Sequence, residues 1–501
     1  MIDRRGRDIL PYHLLIIVPV LAFSFLANGA IDLWAQTILH LFLFTGAAAA
    51  FWFIFPILHN KELPAWILLL SVLAIATAFS GACFISRETF LLWVDYFLIF
   101  TLAGSLIRSE VHFLRRVLSF FGLFLSLAAI VESALLRHPP KLTLLNPNIL
   151  AGCLLIFIFL AADEFCRNKN VLDGASAAAA LAALLLTRSF GAIFAAAAGS
   201  AYLAFRTRTP NRADRLSRIM PGFFLVIIFC LVYWQIKRGW DWHRLAWWQG
   251  ALVVIRQHPF LGLGPGTYEH AMSFLHLPLR TWFAHNTFLQ FAAESGTPSL
   301  FCLVFIIGSL FRKQTYPIQA GIVAVLAHNL VDYSLSIPAV SFLFWIMLGM
   351  NLDYGLSPSA NGTKERLEKA LIISLLFSAA WTAWAHFKAD QACTQAVYAF
   401  QRGLGNEGEH LLRKSLQWDS RDSKIYAVKG NALYNDATAR KSRAELQEAL
   451  AWMLEAVRKE PINSHYYRSA LQITRELGLS DMASELSSVL EGGKIPKHAA
   501  F

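Results

Sequence analysis

The sequence predicts an all-α, polytopic membrane protein with about 12–13 transmembrane helices, one large outer loop and a small C-terminal helical repeat domain. Three observations carry this reading. Hydrophobic residues fill 56% of the 501 positions and charged residues only 15%, with a mean hydropathy of +0.48, outside the range of soluble globular domains. Apolar runs of about 17–25 residues, enough to cross a ~30 Å hydrocarbon core as helices, recur through residues 1–387. From residue 388 to 501 they give way to charged, helix-favouring sequence with a period near 3.6.

Taken in order, spans are expected near 11–28, 33–58, 63–82, 90–107, 114–135, 148–165, 171–187, 190–205, 221–236, 297–311, 317–333, 338–354 and 369–387. The net charge of +11 does not point to nucleic acid, because the basic residues sit where they set topology. Arg4, Arg5 and Arg7 precede the first span; Arg108, Arg115 and Arg116 follow the fourth; Arg206, Arg208, Arg212, Arg215 and Arg218 follow the eighth. The alternate loops are nearly free of them: 29–32 and 334–337 have none, and 83–89 has only Arg87. A cytoplasmic N-terminus and an odd number of spans then put the loop of about 237–296 and the C-terminal tail on the outer side. The basic N-terminus and first apolar run read as an uncleaved first span, because further hydrophobic segments follow at once.

The six cysteines (Cys83, Cys153, Cys166, Cys230, Cys302, Cys393) lie far apart without paired spacing, which excludes a disulfide framework and gives no zinc signature. There is neither a P-loop nor a dinucleotide fingerprint, so no cofactor is expected. In the tail, D-S-R-D-S-K-I-Y at 419–426 and E-P-I-N-S-H-Y-Y at 460–467 echo each other at an offset of 41 residues. A tetratricopeptide repeat has 34, and an insertion around Asn435–Arg443 accounts for the difference. Ala427, Gly430 and Ala432 suit close helix pairing. Two roles stay open for the tail: docking a protein partner or an acceptor, or capping the membrane part, packed against the outer loop.

The outer loop carries the chemistry. An outer-face reaction works without cytoplasmic nucleotides, so its donor arrives already activated, commonly as a lipid-diphosphate-linked sugar. The leaving diphosphate gains charge in the transition state, and arginine, permanently charged and bidentate toward phosphate, suits it best. Arg244, Arg256 and Arg280 lie in the loop and Arg188 on the turn between the seventh and eighth spans; any of them could instead anchor to membrane lipid headgroups. Arg244 opens a Trp-rich amphipathic helix with Trp247, Trp248, Val253 and Val254, expected along the membrane surface, while Arg256 on its last turn could offset the helix dipole. Gly262, Gly264 and Gly266 form G-L-G-P-G. Pro265 removes an amide that a phosphate cradle would need, so the run reads as a tight turn.

His285, followed by Asn286, stands at the start of an apolar helix, and imidazole is the side chain best matched to proton transfer near neutral pH. The alternative is a histidine in an aromatic belt with Trp282 and Phe283. Glu294, nine residues on, points to the opposite flank and reads as a structural partner. His328 and Asp332, four apart in A-H-N-L-V-D-Y, share one helix face and either line a cavity or pair with each other. A transporter of lipid-linked glycan, the non-catalytic alternative, calls for inverted repeats or paired interrupted helices, and Pro19, Pro56 and Pro64 have no counterparts in matching positions.

R-L-A-W-W-Q-G-A, H-P-F-L-G-L-G-P-G-T-Y, A-H-N-T-F-L-Q and E-S-G-T-P together resemble the central loop of the bacterial O-antigen ligase and polymerase superfamily, which includes protein O-oligosaccharyltransferases. L-N-P-N-I-L-A-G at 145–152 and H-N-L-V-D-Y at 328–333 resemble its flanking elements, so the likeness spans about 145–340. It implies a metal-independent glycosyltransferase of the inner membrane that takes glycan from an undecaprenyl-diphosphate carrier to lipid A-core, another glycan chain or a protein. By the same resemblance Arg244 is the arginine that contacts diphosphate and His285 the catalytic histidine. The family's T-x-S-R-G-A element reads T-R-S-F-G-A at 187–192 here, with the arginine displaced to Arg188 and Phe190 in its place. Nothing resembles the longer tail of the protein-directed enzymes, which favours ligase or polymerase.

Overall fold

Asparagine, proline and glycine punctuate this chain, and helices begin and break where they stand. The computed structural model describes residues 12–53, 62–207, 243–275, 281–352, 363–492 and 495–496; the expected span at 221–236, Arg280 and the basic residues at 4–7 and 208–218 lie outside them. No strand occurs among the described residues. The chain forms α1 (Tyr12–Leu26), α2 (Leu33–Phe53), α3 (Glu62–Ala78), α4 (Cys83–Gly104), α5 (Arg108–Leu136), α6 (Pro147–Asn168), α7 (Val171–Leu186) and α8 (Phe190–Arg206). After these come α9 (His243–Gln257), the short α10 (Tyr268–Met272), α11 (Thr287–Phe311), α12 (Tyr316–Asn329), α13 (Pro338–Gly349) and the 39-residue α14 (Thr363–Gln401). The tail supplies α15 (Gly405–Trp418), α16 (Ser423–Arg440), α17 (Arg443–Lys459), α18 (Ser464–Leu477) and α19 (Ser480–Glu491).

Every expected span within the described residues falls on a helix. Five of these, α2, α5, α6, α11 and α14, are long and apolar enough to cross a membrane by length and composition, and α1, α3, α7, α8 and α13 are shorter apolar helices. Large apolar side chains on their outer faces remain exposed, among them Phe120, Phe124 and Leu135 of α5, Phe301 and Phe305 of α11, and Leu371 and Trp381 of α14. Such faces suit lipid and would be costly in water. α6 is the most enclosed of the five, packed against α5, α7, α8, α12 and α13. Asn146 caps it by accepting from the N–H groups of Asn148 and Ile149 at 2.9 and 3.1 Å, and Pro147 occupies the first turn, where a missing N–H costs nothing.

The tail helices pack in sequence order. The two echoing segments share a physical cause: Asp422 caps α16 and Asn463 caps α18, accepting from the Lys424 and His465 N–H groups at 2.9 and 3.2 Å. At Gly430 an added Cβ would stand 3.1 Å from the Ala449 carbonyl, so a bare backbone is what lets α16 and α17 approach. The tail meets the rest of the chain through an Arg87–Asp419 ion pair, a His270–Glu460 contact and Phe274, edge-on to Tyr467 at 5.8 Å.

Asp422 is buried, and that burial pushes its carboxyl up to about 7, against the pull of the Lys424 N–H and charge and with Asp390 and Glu460 adding to it. A carboxyl raised in the folded state binds more protons folded than unfolded between about pH 4 and 7, so tail stability falls as pH rises through that window. Asp422→Asn keeps the cap and should flatten the pH dependence of tail proteolysis between pH 5 and 7.5; an unchanged pH profile would remove Asp422 as its cause.

Candidate active site

A break in one helix organises the described part of the loop that precedes it. Gly296 in α11 takes φ 81°, ψ 161° and Pro298 follows it, so α11 loses its regular ladder there and its backbone groups bond sideways. The Thr297 N–H donates to the Pro259 carbonyl at 2.8 Å, and the carbonyls of Ala293 and Glu294 accept from the N–H groups of Leu263 and Gly264 at 3.2 and 2.8 Å. E-S-G-T-P is thereby zipped to H-P-F-L-G-L-G-P-G. Gly262, Gly264 and Gly266 all have positive φ (62°, 117°, 76°), and a Cβ on Gly262 would overlap the Glu294 backbone. The Glu294 side chain completes the turn: its carboxylate accepts from the Gly266 and Tyr268 N–H groups at 3.0 and 3.2 Å and from Gln290 Nε2 at 3.0 Å. The amides of Gly264 and Gly266 are thus engaged within the protein.

Gln290 carries that order back to the histidine, because its Oε1 accepts from the Ala284 N–H at 3.0 Å. Asn286 caps α11 through the Phe288 and Leu289 N–H groups at 3.1 and 3.0 Å. Between these two fixed points His285 adopts φ 51°, a left-handed conformation uncommon outside glycine that tends to mark functional sites. Its ring stacks on Trp247 at 4.8 Å and 22°, and meets Tyr333 edge-on at 4.8 Å and 86°. Its carbonyl accepts from Trp248 Nε1 at 3.4 Å.

Arg244 stands one turn before Trp247 on α9. It is half-buried, and its Nη1 donates to the Val331 carbonyl at 2.7 Å, which uses one of the fork's five donors and fixes its direction. Val331 lies two residues before Tyr333, so Arg244 and His285 share one corner. Tyr333 is its hub, a residue given no role in the sequence analysis. Its hydroxyl accepts from Asn146 Nδ2 at 2.7 Å, and Phe283 stacks on its ring at 4.1 Å and 7°. The N-P-N element thus reaches the corner through the asparagine that caps α6. An asparagine ahead of a proline is the local signal from which that cap could be found, but nothing local signals its second bond, 187 residues away.

His328 and Asp332 do not share a helix face as their spacing suggested, because α12 ends at Asn329. His328 Nδ1 bonds Ser334 Oγ at 3.3 Å, and the Asp332 carboxylate accepts from the Tyr333 N–H at 2.8 Å. Both side chains are buried, His328 completely, which puts them behind the corner. Asn329 ties the layer together: its Oδ1 accepts from Thr287 Oγ1 at 2.8 Å and from the Leu335 N–H at 2.9 Å. Gly191, in the first turn of α8 and three residues after Arg188, backs onto the same wall; a Cβ there would stand 3.0 Å from Val331 and 3.5 Å from His328. Arg188 itself is exposed, with φ 55°. Arg256 is exposed on the last turn of α9, twelve residues and so ~18 Å along the axis from Arg244, and is not gathered into the corner. Among the described residues no group of three or more His, Cys, Asp or Glu could hold a metal ion.

No curated protein and no solved structure matches the chain. A family model described as O-antigen ligase matches residues 175–304, a stretch that takes in Arg188, Arg244, the glycine turn, His285 and Glu294. That match supports a place in the O-antigen ligase superfamily and, with it, glycosyl transfer of the ligase or polymerase type.

Proposed function

We propose that the protein transfers glycan from an undecaprenyl-diphosphate carrier to an acceptor hydroxyl at the outer face of the bacterial inner membrane, as an O-antigen ligase or an O-antigen or exopolysaccharide polymerase. The observation that carries this is the shared corner: Arg244 bound to the Val331 carbonyl, and His285 held between Trp247 and Tyr333. The acceptor oxygen attacks the anomeric carbon as the bond from that carbon to the diphosphate oxygen breaks. The proton of the hydroxyl passes to the His285 imidazole, and the departing diphosphate takes the bonding electrons, its charge met by Arg244 and, from the adjoining turn, Arg188. None of these steps calls for a metal. Asn286, Asn329 and Tyr333 act by positioning, and the tail, as a tetratricopeptide-like domain against the loop, offers a face to a protein partner or acceptor.

Purified protein reconstituted with undecaprenyl-diphosphate glycan tests the reading. Lengthened glycan without added acceptor identifies a polymerase, labelled lipid A-core a ligase, and a labelled Ser/Thr-rich protein an oligosaccharyltransferase. Movement of the carrier across vesicles with no new glycosidic bond would replace the reading with a transporter.

A further inference from the structure

A second compartment adjoins the corner, and its chemistry is the reverse of the arginine side. Between α4, α11 and the loop lies a cavity of about 270 Å³ walled by Trp93 and Tyr96 of α4, Trp282, Phe283 and Glu269 of the loop, and Gln290 of α11. The described lining is aromatic and carboxyl-bearing, which suits a sugar ring better than a diphosphate. Aromatic faces beside a carboxylate and an amide are what a sugar ring calls for: its C–H face packs on the rings, and its hydroxyls find acceptors and donors at the polar groups. The volume lies just under the ~300–1,000 Å³ of drug-sized sites, room for one ring and not for a chain.

The cavity is one aromatic layer from the histidine. Phe283, in its wall, stacks on Tyr333, and His285 meets the edge of that same ring. Trp282, at 61% exposure, stands at the rim with most of its ring uncovered, while Trp93 is packed in place against Phe291 at 4.9 Å and Tyr96 at 5.6 Å. Gln290 belongs to both compartments, since it lines the cavity and holds the backbone beside His285.

We propose that this cavity is the acceptor-sugar subsite and takes a neutral or amino sugar ring, while the carrier diphosphate lies on the opposite, arginine-bearing side of His285. The assignment rests on the glycosyl-transfer reading above and adds to it which side each substrate enters. Glu269 and Glu294 put two carboxyl groups in the lining, acceptors for the hydroxyl or ammonium donors of a ring, and a uronic acid or a phosphorylated sugar would bring a further acid against them.

Saturation-transfer NMR on the full-length protein in nanodiscs tests this with glucose, glucosamine and glucuronate as probes, beside a separate binding measurement with undecaprenyl diphosphate. Wild type should show contact with glucose and glucosamine and little with glucuronate. Trp282→Ala removes an exposed ring, and Ser336→Phe fills the cavity from its wall. Each should weaken sugar binding about three- to tenfold and leave diphosphate binding unchanged. Sugar contact that survives both substitutions, that is lost in Trp282→Ala alone, or that favours glucuronate would overturn the subsite. The diphosphate arm is read separately: Arg244→Ala should weaken carrier binding and spare the sugar signal. Carrier binding indifferent to Arg244 would count against the glycosyl-transfer reading whatever the sugars do.

Discussion

Replacing His285 with asparagine is expected to lower glycan transfer by about 10²–10⁴-fold, the usual worth of a positioned general base, with protein level and membrane insertion unchanged. Asparagine is the informative choice because of the backbone. His285 sits at φ 51°, a conformation that asparagine adopts more readily than most residues, whereas alanine there would mix loss of the base with backbone strain. Asparagine also keeps a polar side chain between Trp247 and Tyr333 but cannot take up a proton. Transfer assays on reconstituted protein read the effect, and melting of the purified variant checks the fold. Activity within a few-fold of wild type would remove His285 from the proton transfer and leave it as one more ring in the aromatic layer around Tyr333.

Much of this corner is legible in the sequence because its parts are local. A-H-N-T puts a capping asparagine and a histidine at a helix start, and Asn146 ahead of P-N-I caps α6; both caps are short-range hydrogen-bond patterns. The reading of G-L-G-P-G as a turn follows from alternating glycines and the amide that Pro265 lacks. What the sequence hides is pairing at a distance. Nothing local says that the α11 break at Gly296 will bond the backbone at 259–264, or that Asn146 will reach Tyr333. Spacing misleads at His328 and Asp332, because four residues imply one face only while the helix lasts, and α12 ends between them. Asn329 helps end it: its carboxamide serves the Thr287 hydroxyl and the Leu335 N–H, contacts that favour a turn over another helical residue.

The second large effect belongs to Arg244, and it separates the loop arginines that composition alone treats as equals. Arg244→Ala should cost about 10²–10³-fold in transfer, the scale for removing one preorganised donor from a site of developing charge. Arg244→Lys should fall between, because lysine keeps the charge and loses the fork. Arg256→Ala should stay within a few-fold of wild type, since Arg256 is exposed and ~18 Å along the same helix. Arg188→Ala tests whether the displaced arginine of T-R-S-F-G-A still serves the diphosphate: the start of α8, directly after its turn, abuts Val331 at Gly191, and the Val331 carbonyl holds Arg244, so a loss of tenfold or more is expected. The comparison guards against a purely structural explanation. Loss of the Arg244–Val331 bond would loosen the corner and lower activity at every carrier concentration, whereas loss of a diphosphate contact raises the carrier concentration needed and makes binding less sensitive to salt. Equal losses for Arg244→Ala and Arg256→Ala would point to membrane-surface charge as the common cause and take the diphosphate away from this corner.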